Sequence, residues 1–418
     1  MNYKVQNYLS YLIYILPFLL LTGSFLPDLL ISIVGVVFIY HSVRYKMIEY
    51  YNNIYFKIFI IFYLYILLVS IFSDFPFLSL ESSLFYFRFG IFSLATWYLI
   101  DQNKEFIKNF RLFLIITFIF CLCDGYYQFF FRENIIGLSS DSNYRLINFG
   151  GQLTLGNILA RLMPLLLAMI VLIKSNKFKN FIFFIVIFIF TDILIFLSGE
   201  RTAFLLLMIS SLFIILLINK FKILRLISFI FSILIIILIT SSVETVKNRM
   251  IDVTINQMKL NSDIDNIKNE IIIFTPKHTS HYITAFRMFL DKPIIGHAPK
   301  TYRVLCHDIK FNYDDYSCAT HPHSNYLQLL SETGIIGSLY LFVPLILLIY
   351  LSGKQILSFY TNIKPSMSDY QVCLSACILV TLWPIVPSLN FFNNWNSIVI
   401  YLPIGFLLSS LNEKNKFP

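Results

Sequence analysis

Residues 320–337 read THPHSNYLQLLSETGIIG and set two histidines, an asparagine, a tyrosine and a glutamate beside a long apolar run. An imidazole titrates near neutral pH, so His323 at such an edge could take a proton from an incoming hydroxyl group. Pro322 favours an extended residue before it and suits a helix's first turn, which predicts a short helix over about 323–333. Gly334 is a typical residue just past a helix end, and the next apolar helix would begin at Ile335. Glu332 follows His323 by nine positions, roughly half a turn round an ideal helix, so the two do not face each other. Glu332 reads as structural or as a partner for an arginine elsewhere. A metal reading competes, with His321, His323 and one of Asp308, Asp314 or Asp315 as ligands. H-x-H alone lacks the paired spacings of known metal motifs, so no metal and no cofactor are expected.

The arginines carry the second signal. Arg88 lies in SLFYFRFG, Arg161 in GNILARLMP, and Arg201 follows Ser198-Gly199-Glu200, all next to or inside apolar runs. Arg249, Arg287 and Arg303 lie in the long polar stretch after residue 241. An arginine in or near hydrocarbon costs on the order of a few kcal/mol unless it is paired, which makes it a functional candidate. Snorkelling to the interface, or pairing with Glu81 or Glu200, is the plainer alternative. The planar guanidinium grips phosphate oxygens two at a time, so several of them on one face suit a lipid diphosphate, with ordinary anionic headgroups as the less specific ligand. Cys306 and Cys318 enclose LCHDIKFNYDDYSCA, and in an oxidising compartment a disulfide there would hold the segment before the histidines, worth roughly 3 kcal/mol. Cys121, Cys123, Cys373 and Cys377 sit in apolar runs and read as packing residues.

The elements that must position these groups are membrane helices. The 418 residues include 44 Phe and 26 Tyr, and only 13% are charged, about half the share of a soluble fold. Mean hydropathy is +0.73. Apolar runs of the length needed to cross a bilayer recur throughout. Twelve are expected, at 8–24, 27–41, 55–72, 83–100, 110–130, 153–173, 179–197, 202–219, 224–241, 335–353, 370–388 and 397–411. No cleavable signal peptide is expected, because the first run lacks a small-residue cleavage site. No internal repeat is evident, which speaks against an inverted-repeat transporter.

With both termini placed inside, the inner segments hold 17 of the 32 Lys and Arg residues, Lys174, Lys177, Arg225, Lys414 and Lys416 among them. The short outer loops hold Arg132, Arg145 and Arg201. The positive-inside rule therefore predicts N-in, C-in, and the net charge of +9 is largely this signal, with no nucleic acid implied. Three regions are expected: 1–241 with nine membrane helices, an outer loop or cap over 242–322, and 323–418 with three more. Six of the seven histidines lie between 278 and 323, in or at the edge of that cap. In SVETVKNRMIDVTINQM the spacing of Val243, Val246, Met250 and Val253 predicts one face of a helix resting on the membrane. Nucleotide sugars are absent from that side, so any transfer there needs a donor already activated.

Several stretches together resemble the bacterial O-antigen ligase and O-antigen polymerase family. These are GYYQFF (125–130), RLINFGGQLTLGNILARLMPL (145–165), SGERTAF (198–204), HYITAFRMFLDKPIIGHAPKTYR (281–303) and HPHSNYLQLLSETGIIG. IIGHAPKTYR has one glycine where relatives often carry G-x-G, and HSN stands where H-N is commoner. The resemblance implies a GT-C-like, all-α polytopic glycosyltransferase in the bacterial inner membrane, with its site facing the periplasm. Its reaction would be metal-independent, inverting transfer of a glycan from undecaprenyl diphosphate. His323 would activate the acceptor hydroxyl, while Arg201 and Arg287 would hold the diphosphate. Arg88, Arg161, Arg249, Arg303, Asn325 and Glu332 are the further substrate-binding candidates. A single large outer loop favours ligation of O-antigen to lipid A-core oligosaccharide over polymerisation on the lipid carrier. A glycolipid flippase or exporter is the reading from another class, and would place polar residues at mid-membrane.

Overall fold

The computed structural model describes residues 3–140, 145–173, 178–259, 275–384 and 386–412. Among them every regular element is helical, and a lone bridge between Glu133 and Ser139 is the sole strand-type pairing. The chain opens with α1 (Tyr3–Leu19), α2 (Phe25–Arg44) and α3 (Ile54–Ile71). A short α4 (Pro76–Ser83) leads into α5 (Phe87–Gln102) and α6 (Phe106–Phe131). Next come α7 (Leu155–Val171), α8 (Phe178–Leu197), α9 (Arg201–Leu217) and α10 (Lys222–Ser242). The cap contributes α11 (Glu244–Lys247), α12 (Val253–Lys259), α13 (Pro276–Asp291) and α14 (Tyr302–Leu305). The chain then returns to the bundle with α15 (Asn325–Tyr360), α16 (Asp369–Leu382) and α17 (Asn394–Leu411).

Eight segments among the described residues are long and apolar enough to cross a membrane, one of them joining α4 to α5. Four shorter apolar helices, α7, α8, α9 and α16, fall on the remaining expected spans. The molecule is an all-α, multi-pass membrane protein. α7 is buried at every residue except Asn157, as befits a helix apolar all round, and α6, α8, α9 and α16 pack about it.

Two ends of the bundle are tied by different bonds. At one end Arg88 pairs with Asp28 at 2.9 Å, and Asn394 bonds the other oxygen of the same carboxylate at 3.0 Å. There too Trp395 Nε1 donates to Leu20 O (3.0 Å), and Leu146 N donates to Ser198 O (3.1 Å). The cap closes this end. At the opposite end Asp369 accepts from the amides of Asn219 and Lys220, and Asp101 accepts from Asn412.

Three expectations need correction. Arg225 is no loop cation: it is fully buried and forms a bidentate pair with Asp192 of α8, at 2.7 and 3.1 Å. Ser211 and Ser232 complete the cluster, because a guanidinium inside a bundle is stable only when its charge and donors are met. The eleventh span stops at Leu382 rather than at 388, since Pro384 and Pro387 cannot continue a helix, and the described residues between Leu382 and Asn394 are in no helix. The helix expected over 323–333 starts at Asn325, capped by Ser324, because His323 has a left-handed backbone (φ 54°). Lys174, Lys177, Lys414 and Lys416, and the middle of the cap over 260–274, lie outside the described residues.

Within the cap, Val246 and Met250 of the expected amphipathic face are buried against Ile193, Phe196, Leu197 and Ile236, with a π turn at Asn248–Asp252. The other half of the cap is seated on the break in α15. Gly334 has φ 63° and ψ −168°, which interrupts the helix ladder. The freed groups find partners in the PIIGHA loop: Ile335 N donates to Pro293 O (2.9 Å), His297 N to Ser331 O (3.0 Å) and Ala298 N to Glu332 O (2.6 Å). Gly296 and Gly334 approach so closely that a Cβ on either would strike the other strand's backbone. Ala298 is held at φ 82°.

Candidate functional site

The cap brings four imidazoles together. His278 and His281 lie one turn apart on α13, whose first turn is capped by Thr275. His321 and His323 come from the extended segment before α15. The rings of His321 and His323 have centroids 4.1 Å apart, His281 and His323 5.3 Å, and His278 and His323 5.5 Å, so His323 is the hub. Its carbonyl accepts from Ser388 N (2.9 Å) and from the Tyr282 hydroxyl (3.4 Å), which holds the residue in its unusual backbone conformation. His321 Nε2 lies 3.3 Å from Ser388 O, and its Nδ1 lies 3.0 Å from the Thr320 hydroxyl.

Burial, followed by mutual repulsion with His323, lowers His278 and His281 to about 4 and His321 to about 3. Burial lowers His323 as well. All four rings are thus neutral at pH 7, the form that can accept a proton.

A guanidinium stands at each end of this row. Arg201 acts on His278, where its charge adds to the lowering, and Arg145 acts in turn on Arg201. Arg201 Nη1 donates to Thr254 Oγ1 (3.1 Å) and Gln257 Oε1 (2.8 Å), so the amphipathic part of the cap orients it. Arg303, at the other end, acts on His321. Beneath the row, Arg161 donates to Thr381 Oγ1 (3.2 Å), and Asn325 Nδ2 reaches the carbonyl of the same threonine at 3.5 Å. Arg161 Nε, Asn325 Oδ1, Arg145 Nε and His281 Nδ1 are buried without a hydrogen-bond partner among the described residues. Orphaned polar atoms clustered round a row of imidazoles suit a polar ligand.

The remaining candidates do other work. Arg287 donates to Asn312 O (2.5 Å) and lies 5.2 Å from the Tyr313 ring centroid. It sits nine positions from His278, about half a turn round α13 and roughly 13 Å further along, so the helix turns it away from the imidazoles. Arg88 is committed to Asp28, not to Glu81, which pairs with Lys300. Glu200 reaches the start of α7, accepting from Gly156 N and Asn157 Nδ2 at 2.7 Å each, a favourable place for a carboxylate at a helix N-terminus. Arg249 donates to Gly199 O (3.2 Å) and so supports the turn that carries Arg201.

Glu332 is fully buried and accepts from Tyr302 N (3.3 Å) and Gln328 Nε2 (3.0 Å), with the charge of Arg303 acting on it from further off. Cys306 and Cys318 are joined, with Cα atoms 5.2 Å apart. Among the described residues the trio Cys306, His307 and Cys318 has convergent metal-ligand atoms, but its two sulfurs are already bonded to each other.

Sequence reasoning missed His278 and His281 as members of the cluster, together with Arg145 and Ser388, and it missed Asp192 as the buried partner of Arg225. An aspartate within FFIVIFIFTDILIFL was a visible signal. Ser388 was hidden by the overlong eleventh span.

A multi-pass helical bundle, capped at one end over neutral imidazoles flanked by cations, defines a membrane protein with a polar site at one end of its helices. Residues 183–342, which take in the Arg201 turn, the cap and the histidine segment, match the family described as O-antigen ligase. The match supports an activity of O-antigen ligase or polymerase type, and that family implies a membrane setting and lipid-linked glycan substrates. No curated protein matches the chain.

Proposed function

We propose that this protein transfers O-antigen from undecaprenyl diphosphate to lipid A-core oligosaccharide, at the periplasmic face of a bacterial inner membrane, with inversion and without a metal. The observation that carries the reading is the row of neutral imidazoles ending in Arg201 and Arg145. His323 takes the proton of the acceptor hydroxyl as its oxygen attacks the anomeric carbon. The bond from that carbon to the phosphate oxygen breaks, and the diphosphate leaves with the electron pair. Arg201 and Arg145 stabilise the charge that grows there. Arg161 and Asn325 line the floor on which the reacting groups rest. Arg287 is assigned to the disulfide-closed segment and Glu332 to the junction of cap and α15, rather than to substrate.

The positive-inside count supports the outward placement of the cap, and the single large cap favours ligase over polymerase. The test is incubation of the purified enzyme with a lipid-linked glycan and either lipid A-core or a second lipid-linked glycan. Product on lipid A-core, persisting in EDTA and lost in an inserted, folded His323→Ala variant, is the expected result. Elongated lipid-linked glycan would make it a polymerase, and full activity of His323→Ala would remove the base.

A further inference from the structure

Beside His321, on the side away from Arg201, lies a cavity of about 330 Å³, within the size range of small-molecule sites. Its wall includes Gln152, Thr154, Arg303, Asn390, Asn393 and Trp395. No Asp or Glu lies among the described residues that line it. We propose that this cavity is the acceptor-sugar subsite and that it selects a sugar bearing a carboxylate or phosphate group. The assignment to the acceptor rests on the transfer reaction proposed above, which puts the diphosphate at the Arg201 end of the imidazole row.

The wall has the chemistry of a glycan site. Trp395 spends its indole N–H on Leu20 O and is largely buried, so what it adds to the wall is a fixed apolar edge. Asn390 uses its Oδ1 to accept from Gln328 Nε2 and Phe392 N, both at 2.9 Å, and its Nδ2 makes no hydrogen bond among the described residues. Asn393 likewise spends Oδ1 on the amide of Asn396 and leaves Nδ2 without a partner there. Two amide donors with fixed orientation are therefore available to sugar hydroxyls.

Arg303 supplies the charge. Its Nη2 reaches Thr320 O only at 3.4 Å, and its Nε is buried without a partner among the described residues. Glu332 and Glu81 act on Arg303 only from outside the wall and neither is hydrogen-bonded to it, so a guanidinium facing a polar cavity still favours an anionic group and leaves a neutral sugar with weaker bonds. The same carboxylate, Glu332, holds both sides of the cavity: Tyr302, next to Arg303, on one side and, through Gln328, Asn390 on the other. The cavity is thus rigidly built, and it opens on the histidine that packs against His323.

Saturation-transfer NMR on the full-length protein in nanodiscs, with glucuronic acid, glucose 6-phosphate and glucose as probes, tests the site. The two acidic sugars should bind more tightly than glucose. Arg303→Gln should weaken them about tenfold, a difference of ~1.4 kcal/mol, with partial recovery in Arg303→Lys. Asn393→Ser, which keeps an oxygen to cap the helix at Asn396 N and removes the amide donor, should weaken all three. Equal binding of acidic and neutral sugars, or binding unaffected by Arg303→Gln, overturns the proposal. In the transfer assay Arg303→Gln should raise the acceptor KM and leave the donor KM unchanged, and a rise in donor KM instead also overturns it. Failure of the transfer reaction itself would look different: acidic sugars would still bind, while His323→Ala would leave transfer intact.

Discussion

Four imidazoles within about 6 Å of His323 or one another can share a site only if they are uncharged. Burial accomplishes this by penalising the imidazolium form, and the positive charge of Arg201 near His278 and of Arg303 near His321 adds to it. Asp314, near His281, works in the other direction, and Lys277 opposes it. The pH dependence follows with a definite sign. Each ring binds its proton less readily in the fold than in the unfolded chain, so the unfolded state takes up more protons below pH 6.5. Stability is complete above about pH 6.5 and falls as the pH drops towards about 4, the value for His278 and His281. Thermal unfolding of the detergent-solubilised protein should show Tm falling across that window, and less so in a His281→Gln variant. The acid limb of kcat/KM should lie below the ordinary histidine value, because burial depresses His323. An acid limb above 6.5 would mean that another group is the base.

At the scale of elements, the junction between the PIIGHA loop and the break in α15 decides whether the cap sits over the bundle. Two chain segments exchange main-chain hydrogen bonds there, and this works because both carry glycine at the crossing. Gly334 occupies φ 63°, and a methyl group there would collide with the Ile294 carbonyl. Gly334→Ala should cost at least about 1 kcal/mol and lower transfer through displacement of His321 and His323. Thermal unfolding and the transfer assay measure the two effects. Unchanged stability in that variant would show that the break does not anchor the cap. The disulfide and Arg287 serve the same purpose from the far side, fixing the segment that leads into the histidines.

For the whole molecule, orientation is the decisive property. A membrane-impermeant thiol reagent applied to intact cells should label Lys277→Cys, in the cap, and spare Lys104→Cys, at the opposite end. The reverse pattern would turn the site towards the cytoplasm and remove the lipid-linked donor from reach. The helical class and most of the spans were legible in the chain, because hydrocarbon forces long apolar helices and their composition is a local property. The helix break at Gly334, the Cys306–Cys318 neighbourhood and the cap's amphipathic start were legible for the same reason: each depends on residues close in sequence. Arg225 was misread as a loop charge because its partner, Asp192, is brought to it only by the packing of α8 against α10. Likewise, nothing local separates Arg201 from Arg287, and only the direction each helix presents decides that one meets the imidazoles and the other holds Asn312. Periodicity and composition are written along the chain, whereas the gathering of His278, His281, His321, His323 and Ser388 depends on contacts between segments far apart, which only the folded bundle supplies.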